Sequence, residues 1–144
     1  MLMKDAVLPG TPDYVIEAYE TLADRAKTRS FGLIEDDVIV LDTETTGLSL
    51  QDNKLIEISA AHMHGREVVE RFDTFVHPGC PIPAEITRLT SITDADVATA
   101  PSAEEAVAAL EEFVGGCPVI AHNATFDRSF IESVKGGVRV SDIW

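Results

Sequence analysis

The apolar-to-polar pattern is sharpest at Val38-Ile39-Val40-Leu41, which runs straight into Asp42-Thr43-Glu44-Thr45-Thr46-Gly47. Four consecutive β-favouring residues predict a strand buried on both faces. The carboxylates that follow conflict with burial, because each must be paired, metal-bound or neutralised. Strand alternation places Asp42 and Glu44 on one side, roughly 6–7 Å apart. Two acids so spaced can hold a pair of divalent ions about 3.5–4 Å apart, as two-metal phosphodiester chemistry requires. The same pattern also suits a plain strand end that turns at Gly47, and only other motifs decide between the two.

Downstream, Lys54–His64 and Glu67–His77 read as strands joined by a turn at Gly65, forming with 38–43 an antiparallel meander. Pro78, Gly79, Pro81 and Pro83 force a loop, and a short helix over Ala84–Leu89 follows. Ser102 and Glu105 form a capping box, and Ala106, Val107, Leu110, Phe113 and Val114 give the buried stripe of the helix it opens. Gly115-Gly116 ends that helix. A strand at Pro118–Ala121, a helix at Ala124–Val134 and a strand beginning at Val138–Asp142 complete a mixed α/β sheet. Upstream, Thr11-Pro12 is a helix start, and Val15, Tyr19, Leu22 and Ala26 form one stripe on a helix over roughly residues 12–29. That stripe docks either on the domain's own core or on a partner. The expected division is a helical appendage and linker over 1–36 and a domain over 37–144.

The chain has 144 residues and is 45% hydrophobic, which fits one globular domain. No apolar run approaches a membrane span and no secretory signal begins the chain, so no membrane partner is expected. Cys80 and Cys117 lack metal-ligand spacing and read as free thiols of a reducing cytoplasm. With 11 basic and 25 acidic residues the net charge is −14, the wrong sign for sequence-independent binding to a phosphate backbone. An enzyme that meets nucleic acid through bound cations, at a strand end, stays compatible with that balance.

His122-Asn123-Ala124-Thr125-Phe126-Asp127 sits where a strand gives way to a helix. Asn123 is placed as N-cap and Asp127 in the first turn, where the helix dipole favours a carboxylate. Phe130, one turn after Phe126, reads as core; Phe126 is open to packing or to base stacking. His62 and His64 share a strand face beside the Gly65 turn and read as edge residues, and His77 as structural.

Together, Asp42–Gly47 and His122–Asp127 resemble the first two motifs of the DEDD (DnaQ-like) exonuclease superfamily. They are most similar to the proofreading exonuclease domain of bacterial DNA polymerase III and to exonuclease modules fused to helicases. Leu55-Ile56-Glu57-Ile58, Phe75-Val76-His77-Pro78, Leu89-Thr90-Ser91-Ile92-Thr93 and Ala100-Pro101 follow in the family's order, so the resemblance covers about residues 37–142. It implies a ribonuclease-H-like mixed sheet flanked by helices and incomplete at its C-terminus. It further implies 3′→5′ exonuclease activity, two Mg²⁺ or Mn²⁺ ions, and a single-stranded or frayed 3′ end, DNA favoured, as substrate. A polymerase or helicase module would be the protein partner.

Carried over by motif, Asp42, Glu44 and Asp127 are the expected catalytic metal ligands. Thr45, Thr46, Gly47 and Leu48 would line the terminal nucleotide, with Ile92, Asn123 and Phe126 as further substrate contacts; Ser91 stands where the family usually carries glycine. The family also needs a general-base histidine and, five positions later, a fourth aspartate. No residue here matches either, so the chain is expected to be a fragment lacking that motif, nearly inactive if it ends at Trp144. The alternatives are an inactive module that binds nucleic-acid ends or docks a partner and, more weakly, a ribonuclease-H-type endonuclease.

Overall fold

The computed structural model describes residues 36–134 and 139–141. The helix expected over 12–29 lies outside these residues, as do the two end residues of the strand expected over 138–142; its three described residues, 139–141, are not in a strand.

Three long strands come first: β1 (Asp37–Thr45), β2 (Leu55–His64) and β3 (Glu67–Phe75). Helices α1 (Ala84–Thr90), α2 (Asp94–Val97) and α3 (Ala103–Val114) follow, then β4 (Val119–Ile120) and α4 (Ala124–Val134). The sheet order is β3-β2-β1-β4, with the β1–β2 and β2–β3 pairs antiparallel and β1–β4 parallel. This is the expected meander joined to a parallel strand.

The alternation within β1 organises the rest. Ile39, Leu41, Thr43 and Thr45 are buried, whereas Val40 and Asp42 are exposed. The expectation of a strand buried on both faces holds at Val38 and Ile39, both buried, and is corrected at Val40, which keeps 44% of its surface. Helices α3 and α4 cover the face bearing Ile39 and Leu41, where these residues join Ile58, Val107, Leu110, Val114, Phe130 and Ile131 in the main core. A run of apolar residues signals burial without saying which face has a cover.

Helix α3 is bounded as its sequence dictates. The Ser102 hydroxyl accepts from the Glu105 N–H, the Glu105 carboxylate accepts in return from the Ser102 N–H, and Gly115 ends the helix at φ 56°. Ala106, Val107, Leu110 and Val114 form its buried stripe. A second core, Ile56, Ile82, Ile92 and Val97, sits under α1 and α2. The short α2, absent from the sequence reading, is held by its own capping box between Thr93 and Asp96.

Leu110 is fully buried at the centre of the α3 stripe. Leu110→Ala should cost about 2–5 kcal/mol through lost burial and a residual cavity. Ser102→Ala, which removes only a cap, should cost about 1 kcal/mol. Urea unfolding of the two variants checks both the order and the sizes.

Candidate active site

Strand alternation sends Asp42 and Glu44 to the face opposite the α3–α4 core. Register extends that face across the sheet. Asp42 pairs with Ser59, which pairs with Asp73; Glu44 pairs with Glu57, which pairs with Phe75. A bulge between Glu44 and Thr45 then shifts the register, so that Thr45 pairs with Leu55. Four carboxylates, Asp42, Glu44, Glu57 and Asp73, thus share one end of one sheet face.

Asp127 reaches this acidic end from the first turn of α4. Its carboxylate is almost fully buried, and Oδ1 accepts a 2.7 Å hydrogen bond from the Thr43 hydroxyl. Thr43 faces the core while its neighbours Asp42 and Glu44 face away, so this single bond fixes α4 against the strand that carries the other acids. Thr43 was missed in the sequence, although a hydroxyl on the core-facing register of a buried strand always requires a partner.

The electrostatics follow from this crowding. Burial raises the Glu44 carboxyl above its ordinary pKa, and the charges of Asp42, Glu57 and Asp127 raise it further. Glu57 is raised by burial, then by Asp73 and Asp42. Asp127 is raised chiefly by burial, opposed by the Thr43 hydrogen bond and by its own backbone N–H, with Asp42 adding to the rise. Among the described residues no basic side chain pairs with any of these five acids.

The remaining expected residues are placed unevenly. Thr45 and Thr46 are buried, and the Thr46 N–H already donates to the Lys54 carbonyl at 2.8 Å. Gly47 follows them, and Leu48 stands 87% exposed. Ile92 differs from expectation: its side chain is buried in the second core and has almost no surface to offer a ligand. Asn123 is exposed just before α4, but its φ of 54° is left-handed rather than extended, and its side chain makes no cap bond. Phe126 packs at 5.0 Å between ring centroids on Phe130, which is core as expected. His62 and His64 both contact Asp37 at the opposite end of β1, and His77 Nδ1 accepts from the Gly79 N–H, so none joins the acids.

The Exonuclease family model, that of RNase T-type domains, matches residues 39–134, which contain all of these acids. The chain belongs to that family. DNA polymerase III of the PolC type from Caldanaerobacter subterraneus is 44% identical over 100 residues, 69% of this chain and 7% of the polymerase. The PolC-type enzyme of Clostridium perfringens is 39% identical over 126 residues, 88% of this chain and 8% of its own length. The chain thus spans only 7–8% of these curated relatives. Among solved structures, exonuclease X in complex with 5′-overhanging duplex DNA matches with a TM-score of 0.56 at 30% identity, over 65% of this chain and 52% of that one. An exonuclease I structure matches with a TM-score of 0.63 at 12% identity, over 76% of this chain and 28% of its own, which speaks for the fold alone. The mixed sheet and its helices are ribonuclease-H-like.

Exonuclease-family domains of the DEDD type use divalent metal ions, and the donor set here is suited to one. Hard carboxylate oxygens, crowded and without basic partners, suit a hard divalent cation rather than a soft metal. Among the described residues, no three acid, histidine or cysteine side chains converge closely enough to hold an ion unaided. Small hard cations commonly take one or two carboxylates and complete their sphere with water and substrate phosphate.

Because Glu44, Glu57 and Asp127 have raised native pKa values, the native state keeps their protons longer than the unfolded chain does. In chelator-treated buffer their contribution is therefore full below their ordinary values of 3.8–4.5 and is lost as pH rises through the raised ones. Asp127→Asn keeps an acceptor for Thr43 and removes the charge, so it should raise stability at pH 7 and flatten this slope. Thr43→Val should instead lower stability by about 1–3 kcal/mol, leaving a buried carboxylate short of a donor. Urea titrations at pH 5 and pH 7 measure both; a less stable Asp127→Asn protein at pH 7 would contradict the stated electrostatics.

Proposed function

We propose that this chain carries the metal-ligating front of a 3′→5′ exonuclease domain that trims DNA ends in proofreading or repair, in the bacterial cytoplasm. The observation that carries the reading is the meeting of Asp42 and Glu44, from one face of β1, with a buried Asp127 tied to that strand through Thr43. The family match supports the reaction type. The PolC-type relatives, which are DNA polymerases, and exonuclease X, which was solved with duplex DNA, support DNA over RNA.

On this reading Asp42, Glu44 and Asp127 hold two Mg²⁺ or Mn²⁺ ions beside the last phosphodiester. Bound there, such ions supply an activated water and stabilise the charge on the departing 3′ oxygen. The chain's own residues do the rest. Thr43 keeps Asp127 oriented, and the carboxylates of Glu57 and Asp73 add negative charge that favours cations. Gly47 and Leu48 face the terminal nucleotide of a single-stranded or frayed end, with Asn123 and Phe126 at the neighbouring base. None of the 144 residues is assigned the family's general-base role.

A second reading, a module that binds nucleic-acid ends without cleaving them or docks a polymerase or helicase module, is favoured by one observation. The described carboxylates do not close around an ion by themselves.

The two readings part in a single assay on 5′-labelled single-stranded DNA with Mn²⁺. The exonuclease reading expects stepwise shortening from the 3′ end, slowed about 10²–10⁴-fold because none of the 144 residues supplies the general base. It also expects Asp42→Ala to lose more than the roughly 10–100-fold that loss of an outer-shell partner costs a metal site. Shortening that survives Asp42→Ala refutes it. Strand binding and calorimetric Mn²⁺ binding lost in Glu44→Ala, with no shortening, would establish the end-binding module.

A further inference from the structure

The loop between β1 and β2 is organised around Asn53. Its side-chain Oδ1 accepts from the Ser49 N–H at 2.9 Å, and its own N–H donates to the Ser49 carbonyl at 2.9 Å. Ser49 is further held by donating its hydroxyl to Asp52 at 2.8 Å. Asn53 and Ser49 therefore clasp one another through both backbone and side chain.

That clasp lays the Asn53 amide against Gly47. A Cβ at position 47 would stand 2.7 Å from Asn53 Oδ1 and 2.8 Å from its Cγ and Nδ2. Gly47 is not among the glycines of positive φ, so space rather than backbone conformation demands glycine there. The Asn53 side chain could swing aside for a methyl group, but only by breaking its bond to Ser49. The near side of the loop is pinned as well. The Thr45 hydroxyl donates to the Gly47 carbonyl at 2.6 Å, and the Thr46 hydroxyl accepts from the Lys54 N–H at 3.0 Å. Between the two pinned residues, Gly47 and Ser49, stands Leu48 with 87% of its surface in solvent. An apolar side chain held outward on a fixed loop gains burial only when a ligand covers it.

We propose that Asn53 is a positioning residue for the nucleotide-facing segment 45–48: its amide, clasped on Ser49 and laid over Gly47, sets the direction in which Leu48 meets the terminal nucleotide. This rests on the reading of that segment as the substrate-facing one. Asn53 itself touches no substrate. It acts by removing the loop's freedom before the strand arrives, so its loss is felt in affinity.

Two double-mutant cycles test it, read by anisotropy as the Kd of a 5′-fluorescein single-stranded oligothymidylate in Ca²⁺ buffer, with melting temperatures taken alongside. Asn53→Ala should weaken binding about two- to tenfold, the range of one hydrogen bond. Gly47→Ala should do the same in the parent chain and nothing further on Asn53→Ala. Leu48→Ala should cost less on Asn53→Ala than in the parent, which a purely structural role for Asn53 would not produce. Asn53→Asp, which keeps the acceptor for Ser49, should restore most of the affinity. Additive cycles overturn the proposal. A parent chain that binds no oligonucleotide overturns both the functional reading and the positioning role. The thermal cycle between positions 47 and 53 would still report whether the clasp exists, which keeps the two failures distinct.

Discussion

The hydrogen bond from the Thr43 hydroxyl to the Asp127 carboxylate joins residues 84 positions apart, and the site depends on it. Core and site are built from the same strand by alternation. Ile39, Leu41 and Thr43 look toward α3 and α4, while Asp42 and Glu44 look away. Two of the buried positions of β1, Thr43 and Thr45, are polar, and Thr43 is the one that meets Asp127. Farther along α4, Phe130 and Ile131 complete the apolar packing, so the helix is docked by grease over most of its length and by one charged contact at its start. Moving α4 disturbs both at once, which makes the geometry of the acids a property of the whole fold rather than of a loop.

Crowding these acids works against stability. A hydroxyl and the first turn of a helix offset part of the cost of burying Asp127, but its carboxyl stays raised, as do those of Glu44 and Glu57. A surface freed of function would place a lysine or arginine among them; among the described residues none is paired there. Unrelieved like charge of this kind is a stored cost that a cation would release, and binding to the native state alone returns it as stability. On the proposed function, the arrangement trades stability for chemistry.

Features set by local pattern were legible from sequence. The Ser102–Glu105 capping box, the α3 stripe, the meander and the common side of Asp42 and Glu44 all follow from spacing along the chain. What required the third dimension was not legible. Glu57 and Asp73 join the acidic row only through a register that slips at bulges after Glu44 and after His62, and no count from the Gly65 turn predicts those. Val40 is exposed whereas Val38, on the same face of the strand, is buried, a difference that their shared apolar pattern does not carry. Asn123 has a cap residue's position but a left-handed backbone, which asparagine tolerates better than most residues. The Asn53–Gly47 contact was hidden for a related reason: glycine in a turn suggests positive φ, whereas here it makes room for a side chain.

The net charge of −14 bears on how such a domain would discriminate its substrate. Proteins that hold nucleic acid along its length do so by displacing counterions, and their affinity follows the number of phosphates neutralised. A strongly acidic chain forgoes that source of affinity and repels duplex flanks in proportion to their length. On the proposed exonuclease reading, affinity would then come from short-range contacts that a strand end satisfies: cations bridging acid and phosphate, and an apolar surface such as Leu48 covered by an unstacked base. Short-range contacts of this kind are strong only when their geometry is fixed in advance. The same acidity that weakens general binding therefore raises the premium on a rigid β1–β2 loop and on an Asp127 that cannot wander from β1.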